Sequence, residues 1–116
     1  MISQKHRFSG HKSLDYVYQK GKGARTGALG IKAAPSRRDD YRLAVVVSKK
    51  VSKSAVRRNR IRRRIFELFR KARSEYGEPI RYDIVITAFD ERIADMPAEE
   101  LSDDCKKLIK TVGLMP

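Results

Sequence analysis

Between Lys49 and Arg64 the chain carries nine cationic side chains in sixteen residues and no acid. They are Lys49, Lys50, Lys53, Arg57, Arg58, Arg60, Arg62, Arg63 and Arg64. The run begins where an apolar stretch, Leu43 to Ser48, ends, and it continues into a sequence with helical periodicity. Ile61, Ile65, Leu68, Phe69, Ala72 and Tyr76 repeat at i, i+4, i+7, i+8, i+11 and i+15, one apolar stripe over more than four turns. Asn59, Arg60, Arg63, Arg64, Arg70 and Lys71 then fall on the opposite arc, with Arg58 and Arg62 flanking the stripe. A disordered basic tail would have no such stripe, so the cations are predicted to sit on a rigid helix fixed to a core.

The charge is polarised along the chain. Residues 1–73 hold 22 basic and 4 acidic side chains, and residues 74–116 hold 5 basic and 10 acidic, giving +13 overall. An excess of this size opposes compaction and calls for a polyanionic partner. Nucleic acid leads, and an anionic membrane surface comes second. A solvated basic face or a localisation-type run is the plainer reading of the helix. Like charges at i, i+3 and i+4 cost helix stability, and no acid follows in the sequence until Glu67, which favours relief by a partner. Arginine forks match two phosphate oxygens at once. The helix N-terminus near Lys53 and Ser54 adds N–H donors. Asn59 reads as a hydrogen-bonding residue, to RNA or to its own backbone.

The rest of the chain reads as one small α+β domain over residues 1–116. Ser9 to Lys20 is a short helix, with Ser9 as N-cap and Leu14, Val17 and Tyr18 on one face. Gly21 to Gly30, with four glycines, is loop or a short edge strand. Ala28 to Ala34 is a weak strand. Leu43 to Ser48 is a strong strand, buried on both faces. Ser52 and Ser54 both offer a cap to the long helix, which should stop at Gly77. Tyr82 to Phe89 is a second strong strand. A last helix starts near Pro97 as its N1 residue and buries Leu101, Cys105, Leu108, Ile109 and Val112.

Several chemistries find no support. No run reaches the ~20 apolar residues of a membrane span, and the basic N-terminus has no apolar signal core. Cys105 is the single cysteine, which excludes an internal disulfide and suits a reducing cytoplasm. His6 and His11 show no metal-binding spacing. The basic half has only Asp15, Asp39, Asp40 and Glu67 as carboxylates, too few and too scattered for two-metal phosphodiester hydrolysis by protein. The acids of residues 90–104 read as helix-capping or solvated. No catalytic residue and no protein-held metal is expected.

Arg58-Asn59-Arg60 followed by Ile61-Arg62-Arg63 resembles the Arg-Asn-Arg signature of the bacterial ribonuclease P protein family. The tripeptide is weak alone. Its setting is specific: LAVVVSKKV before it, a long amphipathic helix through it and YDIVITA after it, with Arg7-Phe8 and the Leu14/Tyr18 helix upstream. The resemblance covers roughly residues 7 to 112. It implies a small α/β sandwich with a four-stranded sheet, three helices and a left-handed β-α-β crossover, against the usual hand. It implies a subunit that performs no chemistry itself, with ribonuclease P RNA and precursor tRNA as partners, no protein partner required and no membrane. Mg²⁺ would be held mainly by the RNA. By position, Lys49, Lys50, Lys53, Arg58, Asn59, Arg60, Arg62 and Arg63 would bind RNA. Leu14, Tyr18 and Ile31 would line a cleft for the single-stranded 5′ leader. Spacing alone makes Leu14 and Tyr18 core residues; the resemblance moves Tyr18 to the cleft and leaves Leu14 between the two. The family usually has aromatics at these places, and here only Tyr18 is one. A ribosome-associated structural protein shares the charge and the size. A DNA-binding module fits less well, because the basic helix lacks helix-turn-helix spacing.

Overall fold

A computed structural model describes residues 11–114, with side chains from Leu14 onward. The element order is α1 (His11–Lys20), β1 (Lys22–Arg25), β2 (Leu29–Pro35), β3 (Arg42–Val46), α2 (Ala55–Tyr76), β4 (Tyr82–Ala88), a short 3-10 turn (Glu91–Ala94) and α3 (Ala98–Thr111). The Ser9 cap, His6 and Arg7-Phe8 lie outside the described residues.

The four strands form one sheet in the order β1-β2-β4-β3. β2 pairs antiparallel with β1 and β4, and β3 pairs parallel with β4. Parallel neighbours need a crossover, and α2 supplies it between β3 and β4.

Strand alternation divides the side chains between two layers. Leu29, Ile31 and Ala33 of β2, Leu43 of β3, and Ile84, Ile86 and Ala88 of β4 enter the main core with Ile61, Ile65, Phe66 and Phe69 of α2 and Leu101, Cys105, Leu108 and Ile109 of α3. Burial pushes the Cys105 thiol up to about 12, which keeps it an inert core group. The opposite face carries a smaller cluster, Val17 of α1 with Ala34, Ala44 and Val85, and Leu14 and Val46 at its margin.

The apolar stripe of α2 is as the periodicity predicts at Ile61, Ile65 and Phe69, all with no exposed surface. Tyr76, in the last turn, departs from it and is 37% exposed. Two serines divide the start of the helix. Ser54 Oγ accepts from the Arg57 N–H at 3.2 Å as the N-cap, and Ser52 Oγ accepts from the Ser54 N–H at 3.3 Å. Gly77 ends the helix at φ 79°, in the left-handed region that glycine adopts without Cβ strain.

β3 is an edge strand, and the run from Leu43 is buried on both faces as expected: Leu43 and Val47 enter the main core, Ala44 the smaller cluster, and Val45 and Val46 are partly buried against one and the other. One expectation is corrected. Pro97 is the residue before the first turn of α3 and Ala98 is N1.

Candidate nucleic-acid interface

The basic segment is divided into cations turned inward and cations left in solvent. Arg57 Nε donates to Glu91 Oε1 at 2.6 Å and its Nη2 to Asp95 Oδ2 at 2.9 Å. Glu91 Oε1 also accepts from Ser52 Oγ at 3.1 Å. Hydrogen bonding from Arg57 holds the Asp95 carboxyl below its usual range. Arg64 donates to the carbonyls of Ile93 at 2.6 Å and Met96 at 2.5 Å. Arg58 donates to the Ser52 carbonyl at 2.9 Å. Arg62 donates to Asn59 Oδ1 at 2.7 Å and, weakly, to the Val47 carbonyl at 3.5 Å.

Glu91 and Asp95 are therefore not merely capping or solvated acids, as the sequence suggested. They relieve part of the charge repulsion in α2 from 34 and 38 residues away. Arg64 is likewise removed from the free arc of the helix. The Asn59 side-chain oxygen is not a backbone cap: it accepts from Arg62 and orients it.

Lys49, Lys50, Lys53, Asn59, Arg60 and Arg63 remain exposed. Arg60 lies 3.9 Å from Asp95, both about 60% exposed, a separation and exposure at which an ion pair contributes little. Lys49 and Lys50 sit in the turn after β3, closed by the Val51 N–H to the Ser48 carbonyl at 3.1 Å. Arg60 and Arg63 rim a shallow groove floored by Val56, Leu68 and Ala98. The result is a ridge of solvated cations on a helix whose other side is locked into the core.

The second region is the face of the sheet that α1 partly covers. Tyr16 donates through its hydroxyl to the Pro35 carbonyl at 3.3 Å, which ties α1 to the end of β2. Val17 is buried, Leu14 is half-buried beside Val46, and Tyr18 is 43% exposed. Leu14 and Tyr18 are thus on the helix above this face. Ile31 is not beside them. It points into the main core, 3% exposed, opposite Ile86. Its neighbours Gly30 and Lys32 occupy the α1 face, because a shift of one residue along a strand exchanges faces. Ile31 therefore leaves the cleft set.

Sequence reasoning missed Arg25 and Phe89 on that face. The Arg25 guanidinium lies 3.9 Å from the centroid of the Phe89 ring, and Phe89 is 41% exposed. The usable signal was an aromatic at a strand end, in register with Thr87 on the α1 side.

Among the described residues no three His, Cys, Asp or Glu side chains cluster as a metal site. None of their helices is long and apolar enough to cross a membrane.

A family model described as Ribonuclease P matches residues 2–113. The chain belongs to the ribonuclease P protein family. It is similar to the ribonuclease P protein component of Pseudanabaena sp., at 32% identity over 94% of this chain and 92% of that one. It is 39% identical to the same component of Clostridium kluyveri, over 84% of this chain and 86% of that one. The solved RNase P protein of Staphylococcus aureus shares the fold with a TM-score of 0.80, at 24% identity, over 96% of this chain and 98% of that one. The protein from Thermotoga maritima does so with a TM-score of 0.72, at 20% identity, over 85% and 90%. The chain is thus the protein subunit of an endonuclease ribonucleoprotein that works with an RNA subunit in removing the 5′ leader of tRNA precursors. The four-stranded sheet with three helices is the α+β fold of that family.

Proposed function

We propose that this subunit holds its RNA through Lys49, Lys50, Lys53, Arg60 and Arg63, and receives the single-stranded 5′ leader of precursor tRNA on the sheet face beneath α1. One observation carries the reading. Arg60 and Arg63 stay in solvent on a helix anchored by Ile61, Ile65 and Phe69, while Arg57 and Arg64 on the same helix are bonded inward. Cations on a rigid support lose little entropy when they meet phosphate. Their neutralisation of phosphates releases counterions and makes binding salt-dependent.

Arg58, Asn59 and Arg62 act at the border of this surface. Their bonds to the Ser52 carbonyl, to one another and to the Val47 carbonyl set the path of the chain into α2. On the sheet side, Tyr18 offers an exposed ring for stacking on an unpaired base, and Leu14 supports it from the half-buried side.

Among the described residues no three carboxylate, His or Cys side chains come together, and Asp40, Asp90 and Glu91 are engaged by arginines. Mg²⁺ belongs mainly to the RNA in this reading. The place of action is the cytoplasm, where tRNA precursors are made.

Reconstitution tests the proposal. The chain alone should leave precursor tRNA intact. Added to its RNA subunit, it should raise cleavage most at low Mg²⁺ and moderate salt. Cleavage by the isolated chain, or no stimulation of the RNA, would overturn it.

A further inference from the structure

We infer that Arg25 and Phe89 form a stacking step for one unpaired nucleobase of the leader; this rests on the proposal that the α1 face of the sheet receives that strand. Gly30 shows that the step is built into the sheet. A Cβ at Gly30 would stand 2.8 Å from Cε2 of Phe89 and 3.3 Å from Cζ. The ring thus lies where a β2 side chain would otherwise rise, and it lies there only because that position has none.

The backbone fixes the ring from the other side. The Phe89 N–H donates to the Ala28 carbonyl at 2.8 Å, just beyond the Leu29–Ala88 pair. Arg25 is opposite Gly30 in the β1–β2 register and so projects to the same face. It makes no ion pair among the described residues, and its guanidinium lies over the ring instead.

The chemistry of the two groups selects the ligand. A guanidinium supported on an aromatic ring presents a flat, charged surface. Unpaired bases stack on such planes and on aromatic faces whatever their identity. The cation also answers the phosphate beside the base. The step stands toward the end of β2 away from α1, four residues from Ala34 beneath Val17, about 13 Å at the usual strand rise. That separation suits a strand that passes from Tyr18 across the sheet. It also places aromatic contact where β2 itself supplies only Gly30 and Lys32.

The test uses the holoenzyme, assembled from the full chain and its RNA, and precursor tRNAs with a single abasic site at each leader position in turn. The wild-type holoenzyme should show, apart from the position that Tyr18→Ala silences, a leader position where the abasic site weakens binding by about ten-fold. Phe89→Leu, which keeps apolar bulk without a ring, should abolish that position-specific loss. Phe89→Tyr should restore it, and so separates stacking from a folding defect. Identical abasic profiles for wild type and Phe89→Leu, or equal profiles for the Leu and Tyr variants, would overturn the inference while leaving the leader reading intact. If the wild-type holoenzyme bound leader-bearing and mature tRNA alike, both would fall.

Discussion

Arg57 Nε and Glu91 Oε1 lie 2.6 Å apart, so the first turn of α2 is clamped to the 3-10 turn that follows β4. Arg64 repeats the connection two turns later on the carbonyls of Ile93 and Met96. These two arginines add polar ties to the apolar anchoring of the helix, and Arg60 and Arg63 between them are left in solvent.

Arg64→Ala should therefore act on stability and not on RNA charge contacts. It leaves two part-buried carbonyls without their charged donor, a loss of about 1–3 kcal/mol. Urea denaturation should show a lower midpoint with an unchanged slope. The salt dependence of RNA binding by the folded variant should match wild type.

Asp40 gives the fold a pH dependence. Burial opposes its ionisation, but Arg73 and the N–H groups of Ile80 and Tyr41 outweigh it, and the carboxyl is held below its ordinary value. Arg73 Nη2 lies 2.9 Å from Oδ2, and the Ile80 N–H 3.0 Å from Oδ1. A depressed folded-state pKa stabilises above the unfolded value, near 3.9, and that stability is lost as pH falls through the folded value. Asp40→Asn should cost about 1–3 kcal/mol at pH 7. Denaturation at stepped pH should show the gap to wild type narrowing below about pH 4.

Tyr18→Ala should reduce affinity for leader-bearing tRNA relative to mature tRNA by about 1–2 kcal/mol, the worth of a stacked base. Binding of both RNAs to the reconstituted holoenzyme measures it. Equal losses for the two would return Tyr18 to a purely structural role on α1.

The sequence was most legible where periodicity is long. The Ile61, Ile65, Phe69 stripe, the Gly77 stop and the Leu101 to Val112 face of α3 follow from helical spacing. What depends on topology was not legible. The run Leu43 to Ser48 reads as a strand buried on both faces, which it is, but its place at the sheet's edge is set by strand order alone. Ile31 reads as a cleft residue by position, yet alternation turns it to the core and gives the cleft Gly30 and Lys32. The inward bonding of Arg57 depends on acids brought close only by the chain's return through β4. Nothing local to the helix could separate the clamped arginines from the free ones.

The salt dependence of affinity for the RNA subunit tests that separation most directly. Arg60→Ala should weaken binding by about 1 kcal/mol and flatten the log–log salt slope by roughly one unit. Adding Arg63→Ala should bring the change to about two units. An unchanged slope in the folded double variant would contradict the account, because the exposed guanidiniums of α2 would then meet no phosphate.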